Sequence, residues 1–531
     1  MPGRRARRWL VGILGMTAAL HAVGMAANPL PAQDGLKLLR VARQFHSEPW
    51  PDVARGSDRH PLYPAMIALA EPPLAAVIGR GPDSWRIAAQ GVSAIASMGL
   101  VMAVGSLARR AFASRRIGLV AALIAATLPV PATLGHDTLS DIPALALFAT
   151  ALAIGLKALQ SRSSSAFAVC GAVAGLGYLA RPEAALAVVA VGVAWLLGRH
   201  RSTRPTTASF GLPIGPVPTG MAAMVVALGS VVGSYALVKG EVSEKLAMRI
   251  GVGLGGRPAI GPRSATHGLP GGLDDPRLDF APKEESGHPS RLSIGSATGR
   301  LVGGWAEGVA WIGVPLALWG FVRCRSRPGW RLLSAVVAAG FAIVLVRHAT
   351  QLGYLSPRHT LAIVVATVPW VAAGVVAIVR RLARRSWCGP ARARRIGLAT
   401  AVLVVAAAIV AQARPGHPSR WGHREAGAWL AANAGSGEAV LDTRGWAAFV
   451  SGVRSYDMWH VRQALSDARL AYVVVGADEL AAPSARAATL KAVLAHAATP
   501  AASFPERAGG VDPGVLVYRF RRPESWEGLL P

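Results

Sequence analysis

Apolar runs long enough to cross a bilayer recur along this chain, and short arginine clusters separate them. Hydrocarbon offers no partner for backbone N–H and C=O groups, so such runs are predicted to be helices. Eleven are legible, at 9–27, 85–107, 117–134, 142–158, 166–180, 184–197, 216–238, 301–321, 332–346, 360–378 and 396–411. A hydrophobic content of 52% and a mean hydropathy of +0.39 are too high for a soluble chain of 531 residues. The formal net charge of +28 would suit a nucleic-acid partner, but the arginines sit between apolar runs rather than on a basic, aromatic-studded fold. No nucleic-acid partner is expected.

Lys and Arg in short loops mark the cytoplasmic side. Arg4, Arg5, Arg7 and Arg8 precede the first run, and Arg109, Arg110, Arg115 and Arg116 follow the second. Lys157 and Arg162, then Arg199, Arg201 and Arg204, then Arg323, Arg325, Arg327 and Arg331 continue the pattern. The densest cluster is Arg380, Arg381, Arg384, Arg385, Arg392, Arg394 and Arg395. All fall on one side if the N-terminus is cytoplasmic. The outer loops are then 28–83, 135–141, 239–300 and 347–359. The first run, with small residues at Met25-Ala26-Ala27, also has the parts of a signal peptide, but the many runs that follow favour a span. Residue 28 is outside on either reading. Cys170, Cys324 and Cys388 form no disulfide framework, and no metal-type Cys/His spacing or internal repeat appears. The predicted location is the plasma (inner) membrane, multi-pass, with the C-terminal domain extracytoplasmic.

Past Arg414 the pattern changes. An amphipathic helix at 423–432, strands at 439–443, 470–475 and 514–520, and a helix at 484–496 predict a small α/β domain. The chain therefore divides into a membrane domain, 1–415, and a soluble domain, 416–531. The expected fold class is mainly α and polytopic, with about eleven transmembrane helices.

The first outer loop opens with Asp34-Gly-Leu-Lys-Leu-Leu-Arg-Val-Ala-Arg-Gln-Phe45. As a helix it gathers Leu38, Val41, Ala42 and Phe45 on one face, with Lys37, Arg40 and Gln44 opposite, which suits the surface of a bilayer. Asp34 stands at its N-terminus, where a carboxylate caps free N–H groups and is favoured by the helix dipole. A short apolar helix broken by Pro72-Pro73 is expected to lie against the membrane.

Other ionisable groups share this predicted outer face: His60 and Tyr63 in His-Pro-Leu-Tyr-Pro, His136, Asp137 and Asp141 in the tiny second loop, Arg181, and Arg358-His359. Taken singly, each has a plain structural reading. Asp141 serves as an N-cap ahead of Pro143, Arg181 as an ion pair in the Arg-Pro-Glu183 turn, Arg347 and Arg358 as snorkelling anchors, and His60 as a structural residue before Pro61. Together they match one chemistry. Sugar transfer from a lipid phosphate needs a base for the acceptor hydroxyl and cations for the departing phosphate, which arginine forks suit.

The order of Asp34, His60-Pro-Leu-Tyr-Pro64, Ser140-Asp141, Gly175-Leu-Gly-Tyr-Leu-Ala-Arg-Pro-Glu183 and Tyr354-Leu-Ser-Pro-Arg-His-Thr360 resembles the GT-C polytopic membrane glycosyltransferases. Within them it is similar to the bacterial dolichyl-phosphate-mannose-protein mannosyltransferase and aminoarabinose transferase groups. The resemblance covers Arg8 to about Ile378. It implies a catalytic acid at Asp34 and a second outer-loop acid at Asp141, with Asp137 as competitor. Donor phosphate binding falls to Arg358, His359 and Arg181, and substrate contacts to His60, Tyr63, His136 and Tyr354. The implied donor is a polyprenyl-phosphate sugar in contact with membrane lipids, and the implied reaction is one inverting displacement onto a protein, lipid or glycan acceptor. A divalent cation, if one is used, would be held by Asp34 and Asp141. Two features depart from the pattern. Gly35 stands where many relatives have a second acid, which weakens a metal bridged by this loop, and His359 stands where a Tyr is expected. A secondary transporter and a non-catalytic scaffold for the C-terminal domain are the competing readings. The apolar runs are nearly free of charge and lack inverted symmetry, unlike a transporter, and a scaffold leaves the ionisable clusters without a role.

Overall fold

The computed structural model describes residues 2–201, 217–240, 292–384, 389–414, 416, 419–505, 513–524 and 526. Most of the predicted loop 239–300, together with Arg204, Arg385 and Cys388, lies outside the described residues. The first eleven helices are α1 (Pro2–Ala27), α2 (Gln33–Ser47), α3 (Trp50–Gly56), α4 (Leu62–Ile78), α5 (Pro82–Phe112), α6 (Arg115–Thr127), α7 (Pro129–Gly135), α8 (Asp141–Ser161), α9 (Ser164–Ala180), α10 (Leu186–Arg201) and α11 (Val217–Lys239). Helices Ile294–Gly308, Gly313–Arg323, Trp330–Leu352, Leu361–Ala383 and Gly389–Gln412 complete the bundle.

The eleven apolar runs fall on helix, but two of them, 117–134 and 301–321, are each broken into two helices. Among the described residues seven helices are long and apolar enough to cross a membrane, and two bent pairs raise the number to nine. The pair α6–α7 bends by 64°. Pro129 causes this, because the residue before a proline is pushed out of the helical region, and Leu128 sits at φ −62°, ψ 130°. The second pair, Ile294–Gly308 with Gly313–Arg323, bends by 88°. The two remaining runs are α9 and α10, of 17 and 16 residues. At about 1.5 Å per residue they reach roughly 25 Å, a little under the hydrocarbon thickness. The bundle core joins α5, α6, α8 and Leu361–Ala383 through Val101, Leu107, Ile117, Ile142, Phe148, Leu152 and Trp370, interspersed with many alanines that let backbones approach.

Amphipathic α2 buries Leu38, Val41, Ala42 and Phe45 as its periodicity requires, and Leu39 with them. What covers this face is protein, not lipid. Leu38, Leu39 and Ala42 pack on Tyr63 and Ile67 of α4 and on Ala88, Ala89 and Val92 of α5. The expectation of a helix lying apolar side down on the bilayer is corrected here, because α4 supplies the apolar surface first.

The C-terminal region carries a five-stranded sheet in the order β2-β1-β3-β5-β4. Its strands are β1 (Ala439–Asp442), β2 (Arg454–Tyr456), β3 (Leu470–Gly476), β4 (Ala498–Pro505) and β5 (Pro513–Phe520). β1 runs parallel to β2 and β3, and β5 antiparallel to β3 and β4. Successive strand residues alternate between faces. Val440 and Val474 meet Ala426 and Leu430 of helix Arg420–Asn433, while Leu441 and Val473 meet Leu490 and Leu494 of helix Ala485–Ala497. The three strands read from sequence are present. The other two, β2 and β4, are the sheet edges.

Candidate active site

Asp34 does not cap its helix. The N-cap of α2 is Ala32, which offers no side-chain bond, and Asp34 lies in the first turn. The free Ala32 N–H instead donates to Asp137 Oδ1 at 2.8 Å and Thr138 Oγ1 at 3.0 Å. With that donor satisfied from the second loop, the Asp34 carboxylate turns outward, 52% exposed, and meets Arg358 Nη1 at 3.3 Å. The helix dipole still favours its charge. Gly35 has a steric cause: a Cβ there would overlap Thr138 Oγ1 and crowd the Thr138 carbonyl. The residue after Asp34 carries no second acid because there is no room for a side chain.

Asp34 lines a polar cavity of about 170 Å³ together with Asp58, Arg59, His60, Ser140, Asp141, Arg181, Glu183 and Arg358. Asp141 opens α8 and pairs with Arg181, which also reaches Glu183 at 3.7 Å. Arg358 lies on the single turn Pro357–Thr360, where Pro357 starts the turn and Thr360 Oγ1 donates to the Gly304 carbonyl at 3.1 Å. Arg358 Nε has no hydrogen-bond partner among the described residues. His60 packs edge-on against Tyr178, ring centres 5.3 Å apart.

The same Asp141, Arg181, Glu183 and Arg358 line a second, apolar groove with Ala144, Leu145, Phe148, Phe341, Val344, Leu345, His359 and Leu361. A polar chamber and an apolar slot thus meet at two guanidinium groups. This geometry suits an amphiphile with an anionic head, whose chain fills the slot and whose head takes the arginines.

The structure brings Asp34, Asp141, Arg181, Arg358 and His60 into one cavity, and His359 into the adjoining groove. Three expected residues lie elsewhere, and a fourth, Tyr354, sits at the edge of the site. Tyr63 is fully buried, with its hydroxyl on the Ala89 carbonyl (3.0 Å) and Ser93 Oγ (2.9 Å), so it holds α4 to α5 and lines neither cavity. His136 is buried against His21, ring centres 6.3 Å apart, because the turn before α8 directs it into the bundle. Asp137 points away from the chamber to Arg420 Nη2 at 2.9 Å. Tyr354 lines neither cavity, but its hydroxyl is hydrogen-bonded to the Arg358 side chain and its ring lies 5.5 Å from His359, beside the chamber. Asp58, Arg59 and the groove's Phe148 and Phe341 were not anticipated. Arg59 adjoins His60 in sequence, whereas a groove phenylalanine is indistinguishable by pattern from a core one.

Asp34 and Asp141 are the carboxylates expected to hold a divalent cation. Each is taken by a guanidinium, and among the described residues no three His, Cys, Asp or Glu side chains gather as ligands. No step below runs through a metal.

Residues 60–232 match the family described as dolichyl-phosphate-mannose-protein mannosyltransferase. No curated protein matches by sequence. Among solved structures, ArnT from Cupriavidus metallidurans in the apo state superposes with TM-score 0.60 at 12% identity, covering 97% of this chain and 98% of that one. The same protein bound to undecaprenyl phosphate gives 0.58 at 13%, covering 98% and 99%. The chain has the GT-C glycosyltransferase fold. The apo oligosaccharyltransferase of Archaeoglobus fulgidus is also similar, with TM-score 0.53 at 14% identity, covering 98% of this chain and 75% of that one. That archaeal protein has also been solved with zinc and sulfate (TM-score 0.52, 14% identity, covering 88% of this chain and 68% of that one).

Proposed function

We propose that this chain is a membrane glycosyltransferase that moves a sugar from a polyprenyl-phosphate donor to an extracytoplasmic acceptor. The observation that carries the reading is the junction at Arg181 and Arg358, where a carboxylate-lined chamber opens onto an apolar groove. The polyprenyl chain occupies the groove, beside Phe148 and Phe341, and the phosphate lies between the two arginines. Phosphate binding draws Arg358 from Asp34 and releases the carboxylate. Asp34 takes the acceptor hydroxyl proton, the acceptor oxygen bonds to the anomeric carbon, and the carbon–oxygen bond to phosphate breaks with its electrons passing to the phosphate. The configuration inverts because attack and departure lie on opposite faces. Asp141 acts on Arg181, orienting its fork.

This reading places the chamber and the 416–531 domain outside the plasma membrane and the N-terminus inside, in keeping with the arginine-rich short loops. A reporter fused after Pro531 should be active only in the extracytoplasmic space. For the chemistry, purified protein is offered a panel of polyprenyl-phosphate sugars with protein, lipid and glycan acceptors, and release of polyprenyl phosphate is followed. Acceptor-dependent release supports the proposal. A protein that binds these donors yet releases nothing with any acceptor is not this enzyme.

A further inference from the structure

The structure assigns the C-terminal domain a part in catalysis: Arg420 is a positioning residue that sets Asp34 through Asp137 and the 28–32 segment. This rests on the reading of Asp34 as the base. The chain of contacts is continuous. Arg420 opens the domain's first helix and is buried. Its guanidinium donates to Asp137 Oδ2 at 2.9 Å, to Asn28 Oδ1 at 2.9 Å and to the Leu30 carbonyl at 3.1 Å. The other oxygen of Asp137 accepts the Ala32 N–H, two residues before Asp34. The Gly416 N–H adds a 2.7 Å bond to Asn28 Oδ1, and Trp446 Nε1 donates to the Pro31 carbonyl at 2.9 Å. The segment leading into the Asp34 helix is therefore bonded mainly to the C-terminal domain and to the loop that this domain clamps.

Two physical points make this more than domain attachment. A planar guanidinium that satisfies three oxygens at once fixes their relative positions, which a surface ion pair does not. A carboxylate with one oxygen on the guanidinium and the other on the N–H of Ala32 transmits that position to the first turn of α2. Arg424 offers the contrast. It also ties the domain to the bundle, at 3.0 Å from Asp83, but that pair is exposed and touches the 28–32 segment only indirectly, through Arg86, whose Nη1 lies 3.5 Å from the Asn28 carbonyl.

The test uses the full-length protein in detergent or nanodiscs, with variants Arg420→Gln, Arg420→Lys, Asp137→Asn and, as a control, Arg424→Gln. Hydrogen–deuterium exchange is read for the peptide 28–36 and for α5. Turnover and donor affinity are measured alongside, in the wild-type and Asp34→Asn backgrounds. Arg420→Gln is expected to speed exchange in 28–36 but not in α5, and to lower turnover by about 10- to 100-fold with donor affinity kept. Arg420→Lys recovers part of the turnover, and Arg424→Gln behaves as wild type. In the Asp34→Asn background Arg420→Gln adds less than about two-fold, since both act through one group. Should Arg420→Gln fail to fold, Asp137→Asn carries the same readings. Unchanged exchange in 28–36 overturns the assignment whatever the turnover, and so does a full, multiplying loss in the Asp34→Asn background. Wild-type turnover in Asp34→Asn alone removes the base reading, and the exchange result then still decides the clamp.

Discussion

Two arginine–carboxylate pairs flank the start of α2, and they are built differently. Asp34 and Arg358 stand 3.3 Å apart with side chains 52% and 29% exposed, facing the chamber. Asp137 and Arg420 stand 2.9 Å apart with side chains 11% and 6% exposed, behind it. An exposed pair contributes about 0–1 kcal/mol, so a ligand phosphate can take its arginine at small cost. A buried pair loses about 3–5 kcal/mol when one partner is removed, because the other is left charged and dry. The difference separates the part of the loop that exchanges partners from the part that holds still.

A large effect is expected where the exchangeable pair meets the donor. Arg358→Ala should lower kcat/KM for a polyprenyl-phosphate sugar by about 10²–10³-fold, the range for losing one preorganised donor to a developing anion. Arg358→Lys should recover only part, lacking the planar fork. Thermal unfolding of both should stay close to wild type, and a large drop in Tm would move this pair into the holding class. Asp137→Asn, on the other side, is expected to lower stability by about 3 kcal/mol, read by chemical or thermal unfolding in detergent. An unchanged midpoint would show that the two pairs do not differ as their burial implies.

Smaller effects sharpen the same contrast. Gly35→Ala should cost about 1–3 kcal/mol, as overpacking does, because its Cβ meets Thr138. Thr138→Ala should relieve this only in part, since the Thr138 backbone carbonyl also lies close. No loss at all would mean that the α2 start yields easily, contrary to the clamp. In the C-terminal domain, burial pushes the Asp442 carboxyl up to about 6, against the lowering effect of the Ala448 and Arg444 N–H groups. A carboxyl raised above its unfolded value binds more protons when folded, so its contribution to stability falls as pH rises through that window. Lowering pH from 7 to 5 should therefore favour the folded domain by about 1 kcal/mol through this group, and Asp442→Asn should abolish that increment.

Much of this was legible in the chain. The eleven apolar runs and the face of α2 follow from periodicity, and Asp34, His60, Asp141, Arg181 and Arg358 meet in one chamber. What sequence left open was rotation: His136 and Asp137 lie in the same short loop as Asp141, yet one enters the bundle and one turns to Arg420. Arg420 itself lies just ahead of the amphipathic helix read at 423–432, and nothing local announces a partner in the second loop. The unanticipated strand β4, Ala498–Pro505, contains Pro500 and three alanines, a composition poor for a strand interior. It is held as an edge, where proline is tolerated.

The central claim is that Asp34 accepts the acceptor's proton, and Asp34→Asn tests it most directly. Asparagine keeps the size, and Asp34 caps nothing that would be lost. Single-turnover transfer from a saturating polyprenyl-phosphate sugar should fall by about 10²–10⁴-fold, with donor affinity and unfolding midpoint close to wild type. Transfer at the wild-type rate would contradict the account and leave Asp34 only as a partner of Arg358.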